Sequence, residues 1–281
     1  MLFRSVVDSD GGPLGAGRSV GADRFVGRPG IRSTALSLPL GTLRTVDAPE
    51  QDPAGSFVAS LDQEDYRLAV VDLLGALAYG ELTAFERLAD DASFAPTIAD
   101  KAALGAMAVA EYNHFALLQA RLAELGASPE EAMEPFIPAL EAFHERTAPG
   151  DWLEGLVKAY VGDGIAEDFY REVSAYLDSS TRDLVLLVLE DTGHSQFAVD
   201  RVRAAIEADP RLAGRLALWG RRLVGEALSQ AQRVAAERDA LASLLVGGLS
   251  HRGADLAEVG RMFARLTENH TARMATLGLS A

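Results

Sequence analysis

Glu111 and His114 stand three residues apart in VAEYNHFALL, a run otherwise dominated by alanine, leucine, valine and phenylalanine. In an α-helix that spacing turns the chain by roughly 300°, so both side chains share one face. A carboxylate and an imidazole on an apolar face offer hard, oxygen-rich coordination of the kind iron or manganese accepts. Three more segments repeat the theme. Glu81 falls on the stripe Val70, Leu74, Leu77, Glu81, Ala84, Leu88, while Glu111 and His114 continue Leu104 and Met107 toward Leu118, Leu122 and Leu125. Asp163 and Glu167 share a stripe with Leu153, Leu156, Tyr160 and Tyr170, and Asp191 and His194 share one with Leu184, Leu187, Val188, Ala198 and Val202. Steps of three and four mark the buried face of a helix.

Burying an ionised carboxylate without compensation costs several kcal/mol. Lys101 and Lys158 are the only lysines and the stripes carry no arginine, so no buried cationic side chain is expected to neutralise these acids. Two divalent cations would, with the two imidazoles completing the coordination. One acid on each of two helices and an acid-x-x-His on each of two others is a known arrangement for a pair of iron or manganese ions in a four-helix bundle. Glu81 and Glu111 are 30 residues apart and Asp163 and Asp191 are 28. Each interval equals two helical arms of about four turns plus a short loop, which returns the second ligand to the level of the first.

The elements that must position these residues are all helical. The sequence predicts helices over about 62–90 and 97–126, the second stopped by Gly126, then a short segment in PFIPALEAFHERT. Asp151 is the expected N-cap of a helix over 152–177, followed by helices over about 181–208 and 212–246 and a last one from AEVGRMFARL. The apolar stripe of the 212–246 helix, with Leu216, Trp219 and Leu223, suits intramolecular packing or a homodimer seam. Residues 1–60, rich in Gly, Pro, Ser and Asp, are expected to form a disordered tail. The remainder divides into a metal-binding bundle over 61–210 and a C-terminal helical extension over 211–281 packed on it.

Composition narrows the chemistry. With no cysteine among 281 residues, disulfides, thiolate metal sites, iron–sulfur clusters and cysteine nucleophiles are excluded. The net charge of −15 opposes non-specific nucleic-acid binding. Against that trend, Arg201, Arg203, Arg211, Arg215, Arg221, Arg222, Arg233 and Arg238 gather in one stretch, expected to be a solvated face with ion pairs, the alternative being an anion-binding patch. Asp72 interrupts the apolar run LAVVDLLGALAYG, no membrane span is expected, and the N-terminus does not read as a signal peptide. The expectation is a soluble, cytoplasmic protein.

At these same residues the chain resembles a known family. AYGELTAFERLA, AEYNHFALLQARL, LVKAYVGDGIAEDFYREV and DTGHSQF are similar to the ferritin-like proteins related to bacterial tRNA 2-methylthio-isopentenyl-adenosine hydroxylases, in the branch of high-GC bacteria. The likeness covers about 62–210, and GRLALWGRRLVGEALSQAQRV extends it. It implies an all-α, ferritin-like four-helix bundle with additional C-terminal helices. It also implies a non-haem di-iron centre that activates dioxygen for hydroxylation of a C–H bond, with a modified tRNA nucleoside as candidate substrate. Two iron ions are the expected cofactor, manganese the alternative. Electrons would come from an external ferredoxin or reductase, since no glycine-rich nucleotide motif follows a strand.

Two departures qualify the match. Asp191 replaces the family's glutamate before His194 and is one methylene shorter, while Glu190 faces elsewhere. Asp163 lies between Gly162 and Gly164, each of which weakens a helix by about 1 kcal/mol. Asp163 is the preferred third-helix ligand because it mirrors Glu81, with Glu167 and then Asp168 as alternatives. An iron-oxidising or iron-handling protein and a non-catalytic helical scaffold are the competing functions. His144, His251 and His270 are expected at the surface, Tyr112 and Tyr160 in core packing near the metals, and Glu226 in an ion pair with an arginine.

Overall fold

The computed structural model describes residues 63–190, 194–245 and 255–281, apart from the side chains of residues 194, 245, 255 and 256. The expected disordered tail over 1–60, as well as Asp191 and His251, lie outside the described residues. Among those described, every regular element is helical. The long helices are α1 (Gln63–Asp91), α2 (Ile98–Glu124), α5 (Trp152–Ser174), α7 (His194–Ala208), α8 (Leu212–Glu237) and α10 (Asp255–Thr276). Shorter ones are α3 (Pro129–Met133), α4 (Ile137–Arg146), α6 (Ser179–Val188) and α9 (Asp239–Leu245).

Helix boundaries follow local chemistry. Thr97 caps α2 by accepting from the Asp100 amide, Asp151 caps α5 by accepting from Glu154, and Asp178 caps α6 by accepting from Thr181. Gly126, at φ +72°, ends α2 in the left-handed region that glycine enters at least cost. Tyr66 ties the start of α1 to the start of α6. Its hydroxyl donates to Asp178 Oδ2 at 2.9 Å and accepts from the Asp178 amide at 2.7 Å, so α1 fixes the cap of α6.

Helices α1 and α2 form the most extensive helix pair, and the short connection between them makes it antiparallel. Gly75 permits a close crossing, since a Cβ there would stand 2.1 Å from the Ala132 carbonyl oxygen on α3. One apolar core joins α1, α2, α3, α6 and α9 through Leu73, Leu118, Met133, Val185 and Leu244. A second joins α2, α5, α7, α8 and α10 through Leu104, Leu156, Val202, Leu223 and Met274. Leu216, Trp219 and Leu223 are buried there, so that part of the α8 stripe packs within the chain. The segment Gln63–Phe94 is apolar enough by length and composition to cross a membrane, but 61% of its apolar window is buried inside the protein, as befits a core helix.

Three expectations need correction. The helix expected over about 181–208 stops at Val188, where the Leu189 amide bonds back to Val185 and Leu187, and resumes at His194. Leu187, placed on the buried stripe, is exposed, whereas Val185 is buried. The helix expected over 212–246 breaks at Arg238, whose backbone leaves helical space at φ −127°, ψ 87°. A tertiary contact accompanies that break. The Arg238 guanidinium grips Asp72, buried in α1, with Nε 3.0 Å from Oδ2 and a second bond from Nη2 to Oδ1. A bidentate pair of this kind satisfies the acid that interrupts the apolar run of α1.

Candidate metal centre and its cavity

The α1–α2 pair brings Glu81, Glu111 and His114 together. Each offers one ligand atom within 4.8 Å of the others. His114 Nδ1 lies 3.5 Å from Glu81 Oε2 and 3.7 Å from Glu111 Oε2. Two donors each roughly 2.1 Å from one first-row ion are separated by at most about 4.2 Å, so these spacings suit a shared cation. Glu81 is 9% exposed, and both its Oε2 and His114 Nδ1 are buried without a hydrogen-bond partner. Buried polar atoms are ordinarily satisfied, and orphans aimed at one point fit a ligand that protein atoms do not supply. The three residues therefore fit a metal ion.

Electrostatics agree. Burial pushes the Glu81 carboxyl well above its usual range, and the neighbouring Glu111 adds to the rise while His114 opposes it. Glu111 first and Glu81 second raise the His114 imidazole to about 10. Without a metal the trio thus retains protons, and a cation would displace them on binding.

The remaining candidate ligands are placed differently. Asp163 is exposed rather than on a buried stripe, although it lines the same cavity. Glu167 pairs with Arg171 at 2.5 Å, and Asp168 pairs with Arg273 at 2.5 Å. Asp191 and the His194 side chain lie outside what is described, and Glu190 is exposed. The two glycines beside Asp163 have separate explanations. A Cβ at Gly164 would strike Arg273 at 2.1 Å from Nε, whereas one at Gly162 would meet nothing within 4 Å.

The centre lies in the wall of a cavity of about 580 Å³, predominantly apolar, with Leu77, Phe136, Leu140, Ile165 and Leu266 in its lining. Tyr170 lines it too; burial, then the charge of Glu81, holds its phenol protonated well above the ordinary value.

A second polar group in that wall was not legible as a site. Lys158, expected to be unavailable as a buried cation, is only 7% exposed and donates to the Thr147 carbonyl at 2.9 Å. Burial lowers its ammonium to about 8 against the upward pull of Asp91. His144, expected at the surface, has Nε2 3.1 Å from Thr83 Oγ1 and a buried Nδ1 with no partner. Burial first, then Lys158 and Arg87, lower it to about 3, so it is neutral. The signal available in the sequence was Lys158 itself, one of two lysines, set in the apolar run GLVKAYVG. His270, also expected at the surface, is 4% exposed with neither ring nitrogen bonded. Tyr112, expected in the core, is instead 48% exposed and meets Phe85 edge-on.

The arginine-rich stretch is engaged internally. Arg201 pairs with Asp100, Arg211 with Asp209, Arg215 with Asp151 and Glu154, Arg233 with Glu237 and Arg238 with Asp72. Arg203 and Arg221 donate to the Thr276 and Ser280 carbonyls, and Arg222 lies over Trp219. Glu226 pairs with Arg146 at 3.2 Å, the ordinary ion pair expected of it.

A helical architecture with Glu81, Glu111 and His114 at one point of an α1–α2 pair invites comparison with known families. The model of a family described as "Ferritin-like domain, actinomycetes" matches residues 64–248. The chain belongs to that ferritin-like family. The match covers α1 to α9 and so includes Glu81, Glu111 and His114, while the part of the cavity wall contributed by α10, with Leu266, lies beyond it. No curated protein matches the chain.

Proposed function

We propose that this ferritin-like protein is a metal-dependent oxygenase, with Glu81, Glu111 and His114 holding one side of a di-iron centre. The observation that carries the reading is the pair of orphaned atoms, Glu81 Oε2 and His114 Nδ1, converging beside Glu111 in the wall of a large apolar cavity. A centre that only oxidised or stored iron would have no use for such a cavity. Bound iron would supply the redox chemistry for reducing dioxygen and inserting an oxygen atom into a C–H bond, with electrons from an external ferredoxin or reductase.

The chain's own residues do the rest. Glu81, Glu111 and His114 would fix the ligand geometry, and the apolar lining would exclude water from the reacting end. Tyr170 keeps its proton on Oη near Glu81 and can donate a hydrogen bond to an oxygen atom entering the cavity. Asp163, with Asp191 and His194, is the proposed source of the remaining ligands. A modified tRNA nucleoside is the substrate the family resemblance implies. The internal engagement of the arginine stretch weighs against a broad phosphate-binding footprint there.

The test is elemental analysis of recombinant protein with an absorbance spectrum after ferrous iron and oxygen. About two metals per chain are expected, and the combined His114→Ala and His194→Ala substitutions should abolish loading. Unchanged metal content in that double variant removes the site. A growing mineral core would instead favour iron handling.

A further inference from the structure

Helix α2 is apolar on two opposite sides. One side carries Leu104, Met107, Leu118 and Leu122 into the core. On the other, Ile98, Ala102, Gly105, Val109, Tyr112 and Ala116 recur at alternating steps of four and three, and Ala120 and Ala123 prolong the row. Such steps place them along a single strip. All are exposed except Gly105, which is half-buried. Of the nine large apolar side chains exposed among the described residues, Ile98, Val109, Tyr112 and Leu117 lie on α2 and Phe94 just precedes it. Between Ala102 and Ala123 no exposed residue is charged, although charged residues make up 24% of the chain. A helix that is apolar all round is ordinarily a buried one, and a lone protein seldom presents so continuous an apolar strip to water.

Size and charge identify what covers it. The strip runs about 38 Å from Ile98 to Ala123. At about 200 Å² for a large side chain, Ile98, Val109, Tyr112 and Leu117 expose on the order of 500 Å² at 88%, 57%, 48% and 43%. The exposed alanines bring the face toward the roughly 800 Å² per partner of a stable interface. A nucleic acid or an anionic membrane would need a rim of bases. Lys101 is the one exposed base on this helix, in a chain of net charge −15. A second copy of the chain avoids that repulsion here, because the strip itself is uncharged.

The strip is also self-complementary. Its N-terminal end is bulky at Ile98, and its C-terminal end is small at Ala116, Ala120 and Ala123. Laid antiparallel about a twofold axis through Val109, two copies set Ile98 against Ala120 and Ala102 against Ala116. Tyr112 then falls beside Ala106 and Gly105 of the second copy, where a Cβ on Gly105 would meet nothing within 4 Å. A parallel pair would oppose Ile98 to itself and alanine to alanine, leaving one end unfilled. Antiparallel alignment also sets the two helix dipoles favourably.

We propose that this protein is a homodimer whose seam is the outer strip of α2, packed antiparallel against the same strip of a second copy about a twofold axis at Val109. The seam lies on α2 rather than on α8, whose Leu216, Trp219 and Leu223 are buried within the chain. Nothing in it depends on what the metal centre does.

Sedimentation equilibrium of the full-length protein is expected to give twice the chain mass of 29.8 kDa at micromolar concentration. Val109→Glu sets two like charges on the axis and should raise the dissociation constant at least about 100-fold. Val109 is exposed in the single chain, so circular dichroism of the variant should stay helical. If Val109→Glu does not fold, Ala102→Glu makes the same test against Ala116. The direction of pairing is read separately. The chain has no cysteine, so Val109→Cys carries a single thiol and should be joined to its own kind by a short bismaleimide. Ile98→Cys should join Ala120→Cys in a mixture but not itself, since its two copies stand about 33 Å apart along the pair. A monomeric wild type, its strip taken by residues 1–62 or by a different protein, overturns the proposal. So does a dimer that survives in folded Val109→Glu, or ready self-linkage of Ile98→Cys.

Discussion

The α1–α2 half of the bundle and the α5 helix carry the same kinds of side chain at the same helical spacing, yet the protein treats them differently. Glu81, Glu111 and His114 converge around the buried Glu81 carboxylate, and Glu81 Oε2 and His114 Nδ1 have no hydrogen-bond partner. Asp163 is exposed, while Glu167 and Asp168 are held by Arg171 and Arg273. Periodicity assigns a residue to a face of its helix. Whether that face meets another ligand or an arginine depends on the crossing helix, and α10 brings Arg273 across α5 at Gly164. The difference teaches that equal spacing of acids on two helices does not give them equal surroundings.

The sharpest way to break this comparison is metal affinity. Glu81→Ala or Glu111→Ala should weaken iron binding by more than about 100-fold, since a lost ligand costs at least as much as a lost supporting contact. Asp163→Asn should cost less than either. Equal losses in competition titrations would restore the two halves to equivalence.

Stability separates them next. Asp168→Asn leaves Arg273 partly buried and without its ion pair, and should cost about 2–3 kcal/mol in denaturant unfolding, somewhat below the value for a fully buried pair. Glycine substitutions follow. Gly164→Ala should lose about 1–3 kcal/mol through collision with Arg273, whereas Gly162→Ala should gain about 0.5–1 kcal/mol because the space is open and alanine favours the helix. Similar effects at both positions would refute separate roles for the two glycines.

A pH series sharpens the picture at the cavity wall. His144 titrates near 3 when folded and near 6.5 when unfolded, so the stability it contributes is complete above about 6.5 and is lost as the pH falls toward 3. His144→Gln should flatten that part of the melting-temperature profile, and an unchanged slope would place the acid sensitivity elsewhere. The smallest effect belongs to Glu167→Gln, which removes an exposed i,i+4 pair and should change stability by less than about 0.5 kcal/mol.

Much of this was legible in the chain. The stripes Val70 to Leu88 and Leu104 to Leu122 predicted two helices and the facing positions of Glu81, Glu111 and His114, because a 3.6-residue period and a short connection fix both face and depth. Thr97, Asp151 and Asp178 carry their caps in local sequence, where donor and acceptor lie three residues apart. The end of α6 at Val188 was not legible, because the run LVLLVLE continues the helical pattern and propensity alone does not decide where a helix stops.

What the sequence determined by itself was therefore whatever depends on neighbours a few residues away: helices, caps, and which side of each helix is apolar. The tertiary structure alone decided which charges meet across the fold. Asp72 and Arg238 are 166 residues apart, and Asp168 and Arg273 are 105 apart. Lys158 is buried rather than solvated, and His144 faces Thr83 rather than water. The reason is physical. A side chain's charge state and partners are set by whatever the folded chain places within a few ångströms of it, and no period in the sequence encodes that distance.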